Sequence, residues 1–450
     1  MRSFFKGMGV GFKGMSVGLF VSLLSCLQAN ANGFATLSGH GGPIMGLAYS
    51  ATGARALSGS FDYSVGYWPD ISDETSKPIW LEGHKAAVNS VAFWGKIGAV
   101  SGGDDFALII WDLATATALH RLEGHKGKVL SVKVSKNQKL IASAGWDGRA
   151  GLWDAQTGKH LRWFEGHKSS LNDVAFSDDA AILYTASHDG TVRSWDVATG
   201  AQRRIETRHG FGVNRLIIND AQGWLVYGAL DGGTRVIDIK TGTVLADITL
   251  DRKPILSLAL NNDASRLAVG DGNGYIMVLD TADWTVARDF RAVKAGPVWA
   301  LAYANDGRLL SGGLDETIAI WPLDGRIAAQ GPDKQPFHRP PAEMENGERQ
   351  FVRKCSICHN LGSAPDRRAG PPLGTVFGRR AGTAKGYSYS SALTSSNVVW
   401  NEETIMELFR IGPDALTPGS KMPMQQIAKE QDRRDLVNYL KRVTRAHDTR

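Results

Sequence analysis

In EGHKSSLNDVAFSDDAAILYTASHDGTVRSWD, residues 165–196, Gly-His stands at 166–167, Thr185 lies four residues before Asp189, and Trp195 lies six after it. The same marks recur along the chain. Asp62, Asp105, Asp147, Asp189, Asp231, Asn273 and Asp315 are separated by 43 and then five times by 42 residues. Six residues behind each come Trp68, Trp111, Trp153, Trp195, Ile237, Leu279 and Trp321. A unit of this length repeated seven times buries its apolar face only against its neighbours, which implies a closed array of sheets.

Gly-His opens the first four repeats at His40, His84, His125 and His167, and Ser58, Ser101, Ser143, Thr185 and Ser311 stand four residues before the motif Asp. These residues resemble the WD-repeat family over roughly residues 34–323. The resemblance implies an all-β seven-bladed propeller in which the His, Ser/Thr, Asp and Trp of a blade form a buried hydrogen-bonded chain. It also implies that FATL, residues 34–37, completes the last blade beside the strand ending at Trp321 and so removes the exposed sheet edges.

Later repeats depart from the pattern. Repeat five keeps His209 and Asp231 but has Tyr227 and Ile237; repeat six has Asp251, Val269, Asn273 and Leu279; repeat seven lacks the His. Apolar alternation persists in WLVYG, LSLAL and YIMVLD, so blades are expected there too, resting more on apolar packing than on the polar chain. A His on a fixed spacing in five blades reads as structural, since a metal site needs ligands converging on one point. His120, His160 and His188 fall outside the shared pattern and show no convergent partner. The propeller therefore offers no catalytic constellation.

With 450 residues, 43% hydrophobic and 21% charged, the chain reads as a soluble globular protein of two or three domains. Arg2, Lys6 and Lys13 precede the apolar run MSVGLFVSLL, and Ala29-Asn30-Ala31 offers small residues for cleavage, which reads as a signal peptide over 1–31 with the mature chain starting at Asn32. A lipid anchor through Cys26, after Leu24-Ser25, is the competing reading. The run is too short for a membrane span, and no later segment is long or apolar enough, so the mature chain is expected in the periplasm without a transmembrane segment. Residues 341–450 hold 17 basic and 12 acidic residues, whereas the propeller and linker are slightly acidic. A basic domain outside the cytoplasm points to acidic protein partners and away from nucleic acid.

After Trp321 the strand period ends. DGRIAAQGPDKQPFHRPP holds four prolines and reads as a semi-extended linker over 324–341, followed by a small helical domain over 342–450. There MENGERQFVRKC can form one helix, Asn401 can cap a second, EETIMELFRI, and KEQDRRDLVNYLKRV places Leu436, Tyr439, Leu440 and Val443 on one face. Between the first two helices lies Cys355-Ser356-Ile357-Cys358-His359. Two thiols at this spacing followed by an imidazole form the attachment motif for one covalently bound haem c, with His359 placed to ligate the iron. A disulfide would not need the His, and no second Cys pair exists to complete a zinc site. On spacing alone, Met422 and Met424 are equal candidates for the other face of the iron.

Residues from about 343 to 443 resemble class I c-type cytochromes through CSICH, AGPPLGTVFGRRAGTAKGYSYSSAL, VVWNEETI and PGSKM. The resemblance implies thioether bonds from Cys355 and Cys358, His359 as proximal and Met422 as distal ligand, and a hydrogen bond from the His359 ring to the Pro371 carbonyl. It implies that Tyr389 and Trp400 contact a haem propionate, and that Gly347 and Phe351 pack near Tyr439. The chain departs from the family at Leu408, where a Tyr often reaches the Met ligand, at Met424, where an aromatic is common, and by one extra residue between Trp400 and Met422. Met424 is thereby an alternative ligand.

An iron with both axial places filled has no site for substrate. The expected function is one-electron transfer by an exported protein, a carrier rather than a catalyst. Its propeller binds a partner, and Lys354, Lys421 and Arg353 steer an acidic redox protein to the haem edge. Two other classes stay open: a periplasmic oxidoreductase with a second cofactor in the propeller, and a haem redox sensor or assembly factor.

Overall fold

In the computed structural model the described residues are 34–323, except 74, 249–251 and 294–295, and 344–445, except 357, 364–367, 369, 419, 421, 423–425 and 428. The leader with Cys26, the linker, Asp251, Lys421 and Met424 lie outside them.

Among the described residues, twenty-eight strands form seven four-stranded antiparallel sheets. Blades 1 to 6 span Ile44–Glu82, Val88–Leu122, Val129–Phe164, Leu171–Arg208, Val213–Ile248 and Ile255–Arg291. Blade 7 is built from both ends of the array: Val298–Tyr303, Leu309–Gly313 and Thr317–Trp321, then Ala35–Ser38 as its outer strand. Ala35 pairs with Ile320 and Ser38 with Thr317, and the Phe34 ring packs 4.3 Å from that of Trp321. The ring of blades is closed as the phase of the repeat requires.

Each blade packs an apolar face on the next. Val100, Leu108 and Ile110 of blade 2 meet Val129, Ile141 and Trp153 of blade 3, all buried. A fully buried Trp removes roughly 150–250 Å² from water, or about 4–6 kcal/mol at 25 cal/mol per Å². Trp68, Trp111, Trp153 and Trp321 are all of this kind.

The polar chain threads this apolar packing in blades 1 to 4. In blade 3, His125 Nδ1 donates to Asp147 (3.0 Å), Nε2 accepts from Ser143 Oγ (2.8 Å), and Trp153 Nε1 donates to the same Oγ (3.0 Å). Blades 1, 2 and 4 repeat it through His40–Ser58–Trp68, His84–Ser101–Trp111 and His167–Thr185–Trp195. Burial, the largest influence, would raise these carboxyls. The hydrogen bonds they accept, from His84 to Asp105, from His125 to Asp147, and from Thr191 and His167 to Asp189, outweigh it and hold all three below the ordinary carboxylate range. Burial likewise pushes His167 down, keeping its ring neutral.

In blade 7, Trp321 Nε1 donates to Ser311 Oγ (2.8 Å). Blade 5 keeps His209–Asp231 (2.9 Å) and adds Tyr227 (3.3 Å). Blade 6 is not purely apolar: buried Asp271, two residues ahead of Asn273, accepts from Arg252 (3.0 Å) and from the backbone of Asn273 and Tyr275. An ion pair has replaced the His–Asp link there.

The second region holds α1 (Asn346–Lys354), α2 (Ser391–Thr394), α3 (Glu402–Ile411), α4 (Pro413–Leu416) and α5 (Glu430–Arg445). Asn401 caps α3: its side chain accepts from Thr404 N, and Thr404 Oγ1 accepts from Asn401 N, both at 2.8 Å. Helix α5 buries Leu436, Val437 and Leu440, with Tyr439 half-buried. Gly347 lets α1 cross it closely, since a Cβ there would stand 2.1 Å from the Asp435 carbonyl and 2.7 Å from Tyr439 Cβ. Phe351 and Tyr439 pack beside the crossing at 5.7 Å. No helix among the described residues is long and apolar enough to cross a membrane.

Candidate functional site

Helix α1 ends on the cysteine motif. The Cys355 N–H still bonds back to Phe351, and those of Cys358 (3.0 Å) and His359 (2.9 Å) both reach the Cys355 carbonyl. That extra turn turns the two thiols and the imidazole toward one wall of a cavity. The following loop is pinned by Gly370 N to Cys358 O (2.7 Å) and Leu373 N to Asn360 O (2.9 Å). His359 Nδ1 donates to the Pro371 carbonyl at 2.7 Å, which fixes the tautomer whose lone pair lies on Nε2, the ring nitrogen that would ligate a metal. A Cβ at Gly370 would lie 2.3 Å from the His359 ring, so only glycine lets the chain pass.

The opposite parts of the wall come from farther along the chain. Gly378 N bonds Trp400 O (2.8 Å) and Trp400 N bonds Arg379 O (2.9 Å), which brings Trp400 and Arg379 together. Tyr387 and Tyr389 pack edge to face at 4.7 Å. Met422, half-buried, takes its place beside the α3–α5 core. Cys355, Cys358, His359, Pro371, Tyr389, Trp400 and Met422 thus all line one cavity of about 1150 Å³, counting the space open to solvent, whose floor is apolar through Ile405, Leu408, Phe409 and Leu440.

Burial pushes the Cys355 thiol up to about 12, with Cys358 adding to it, and burial pushes Cys358 up to about 11. Both are held as thiols at neutral pH, so the thiolate that attacks oxidants is scarce. Burial also raises Tyr387 to about 12 and raises Tyr389. Arg379 is lowered by burial, with Tyr389 acting against that. Sequence reasoning passed over Arg379, which donates to the Pro372 carbonyl (2.9 Å), and Arg368, which donates to the Ser356 carbonyl (2.6 Å). It also passed over Tyr63, which reaches this cavity from blade 1.

These residues fit a covalently held haem. Two thiols and an imidazole share one wall, the imidazole carries a fixed tautomer, a thioether lines the same space, and the floor is apolar. Elsewhere, His120 bonds the Gln156 carbonyl (3.2 Å) and His160 lies against Trp163 at 4.4 Å. His188 lies at the mouth of the propeller's central channel. The described residues contain no group of three or more His, Cys, Asp and Glu side chains placed to hold a metal ion.

The family described as "WD domain, G-beta repeat" matches residues 33–68, 76–112, 116–154, 158–196 and 288–322. The family described as "Cytochrome c" matches 344–444. Among curated proteins, the cytochrome c of Sesamum indicum is 39% identical over 105 residues, 23% of this chain and 94% of that protein. The cytochromes c of Gossypium barbadense (40%, 94% covered) and Chlamydomonas reinhardtii (38%, 93% covered) match over the same length. A cytochrome c domain implies a covalently bound haem c, and the cavity described above has the residues to hold it. Behind a seven-bladed propeller of WD repeats, this chain belongs through residues 344–444 to the cytochrome c family.

Proposed function

We propose that the chain is an exported one-electron carrier: residues 1–31 are removed on export to the periplasm, 32–323 form a platform that binds a protein partner, 324–341 tether it, and 342–450 carry a single haem c. The observation that carries the reading is the convergence of Cys355, Cys358, His359 and Met422 on one cavity.

When bound, haem c supplies one electron between its ferrous and ferric states. Cys355 and Cys358 would hold it through thioether bonds, and His359, oriented by its bond to the Pro371 carbonyl, would ligate the iron. Met422 would add a soft sulfur ligand, which favours the ferrous state relative to a second imidazole. Tyr389 and Trp400, in the same cavity wall, would bind a propionate, and the apolar floor excludes water. Lys354 at the cavity's edge draws an acidic redox partner.

The test is the absorption spectrum of haem-loaded protein, oxidised, reduced, and reduced under carbon monoxide, with Met422→Ala alongside. A single low-spin haem that ignores carbon monoxide, with a variant that binds it, supports the reading. Ready binding by the unaltered protein removes Met422 as the ligand.

A further inference from the structure

The residue that follows the motif Asp sits in a tight turn with a left-handed backbone. Blades 3 to 6 put glycine there: Gly148, Gly190, Gly232 and Gly274, with φ between 79° and 88°. Blade 1 puts Tyr63 there at φ 73°, a conformation that crowds a bulky side chain. Its ring lines the haem cavity beside Lys354, Cys358 and Tyr387.

The same register position in the adjacent blade 7 is Glu316, and it also reaches the cytochrome domain. Glu316 Oε1 pairs with Arg368 Nη2 at 2.6 Å, and Arg368 Nη1 donates to the carbonyl of Ser356, inside the cysteine motif, at 2.6 Å. Both side chains of the pair are largely shielded, at 31% and 13% exposure. The charges match the wider balance, a basic haem domain against a slightly acidic propeller. The corresponding residue of blade 2, Phe106, is equally left-handed (φ 66°) but 45% exposed.

We propose that the propeller docks on its own cytochrome domain: Tyr63 completes the wall of the haem cavity beside Cys358, and the Glu316–Arg368 pair clamps that rim in place, so an outside redox molecule reaches this edge when the rim lifts. The propeller is then both a platform and a gate. The redox consequence rests on the haem reading above, while the docking itself does not.

The experiment uses the full mature chain, haem-loaded, as Tyr63→Gly, Glu316→Arg, Arg368→Glu and the double swap Glu316→Arg/Arg368→Glu. Glycine suits the turn of residue 63, and the double swap keeps the net charge. Two quantities are read: backbone hydrogen exchange over 59–66 and 354–371, and the second-order rate at which ferricyanide takes one electron from the ferrous haem to give ferrocyanide. Glu316→Arg should lower protection of both segments and raise the rate about two- to fivefold, the range a partly exposed ion pair supports. The double swap should restore both readings, and Tyr63→Gly should raise the rate with no change in charge. Unchanged exchange and rate in Tyr63→Gly and Glu316→Arg, or a double swap that restores neither, overturns the proposal. Protein that takes up no haem refutes the haem reading alone, and the exchange measurement still decides the docking.

Discussion

Replacing Gly347 with alanine tests the packing that holds the haem domain together, because two opposing effects predict different signs. Alanine is the better helix former by about 0.8–1 kcal/mol in a helix interior, less in the first turn where residue 347 lies. On propensity alone the variant would be more stable. Its methyl, however, would stand 2.1 Å from the Asp435 carbonyl oxygen and 2.7 Å from Tyr439 Cβ, and a backbone atom cannot rotate away. Relief requires α1 and α5 to separate by about 1 Å, a distance over which close-packed atoms lose much of their attraction. That movement loosens the bonds from Asn346 Nδ2 to Asp432 (2.9 Å) and Asp435 (2.7 Å) and the Phe351–Tyr439 contact. Overpacking costs about 1–3 kcal/mol and each weakened hydrogen bond about 1 kcal/mol, so Gly347→Ala should destabilise this domain by about 2–4 kcal/mol. Twelve of the 13 tryptophans lie in the propeller, so denaturant unfolding followed by haem absorbance reports the cytochrome domain and tryptophan emission reports the blades. The haem midpoint should fall while the tryptophan midpoint holds. A haem midpoint unchanged or raised would refute the close crossing of α1 and α5.

In blade 3, Ser143→Ala strips the shared partner from His125 and Trp153 in a fully buried site and should cost about 2–3 kcal/mol by tryptophan emission; Ser311→Ala, which deserts only Trp321, should cost less, and equal losses would count against the hydrogen-bonded chain. Asp105, Asp147 and Asp189 have folded pKa values depressed below the unfolded value of about 3.9, so their contribution is complete above that value and is lost as pH falls toward the folded one. An acid titration should show propeller stability dropping steeply below about pH 4, and Asp147→Asn should flatten that drop; an unaltered slope would remove Asp147 from the linkage.

The propeller was legible because each of its structural bonds is tied to a fixed place in a 42-residue period, so His, Ser, Asp and Trp announce both the strand and its partner. Blade 6 escaped that reading because its carboxylate had moved two places, to Asp271, and found Arg252 instead. In the haem domain the cysteine motif and the Met segment were plain. Arg379 and Gly370 were not, since they meet the cavity through loops with no periodicity and by contacts distant in sequence. Tyr63 was no more legible: blade 2 has an aromatic at the same place, the exposed Phe106, so an aromatic in place of glycine does not single out the residue that lines the cavity.

The seam of blade 7 also determines how the ring responds to tension. Ala35, the first residue of its outer strand, lies opposite Ile320, next to the last of the strand it pairs with, so the chain enters and leaves the ring at the same end of one ladder. A pull between the amino end and the haem domain therefore loads the rungs in turn, as a zipper, rather than all at once in shear. Four paired residues close the propeller against solvent and heat as a group, yet they yield singly to force, and mechanical opening begins where the first strand meets the last.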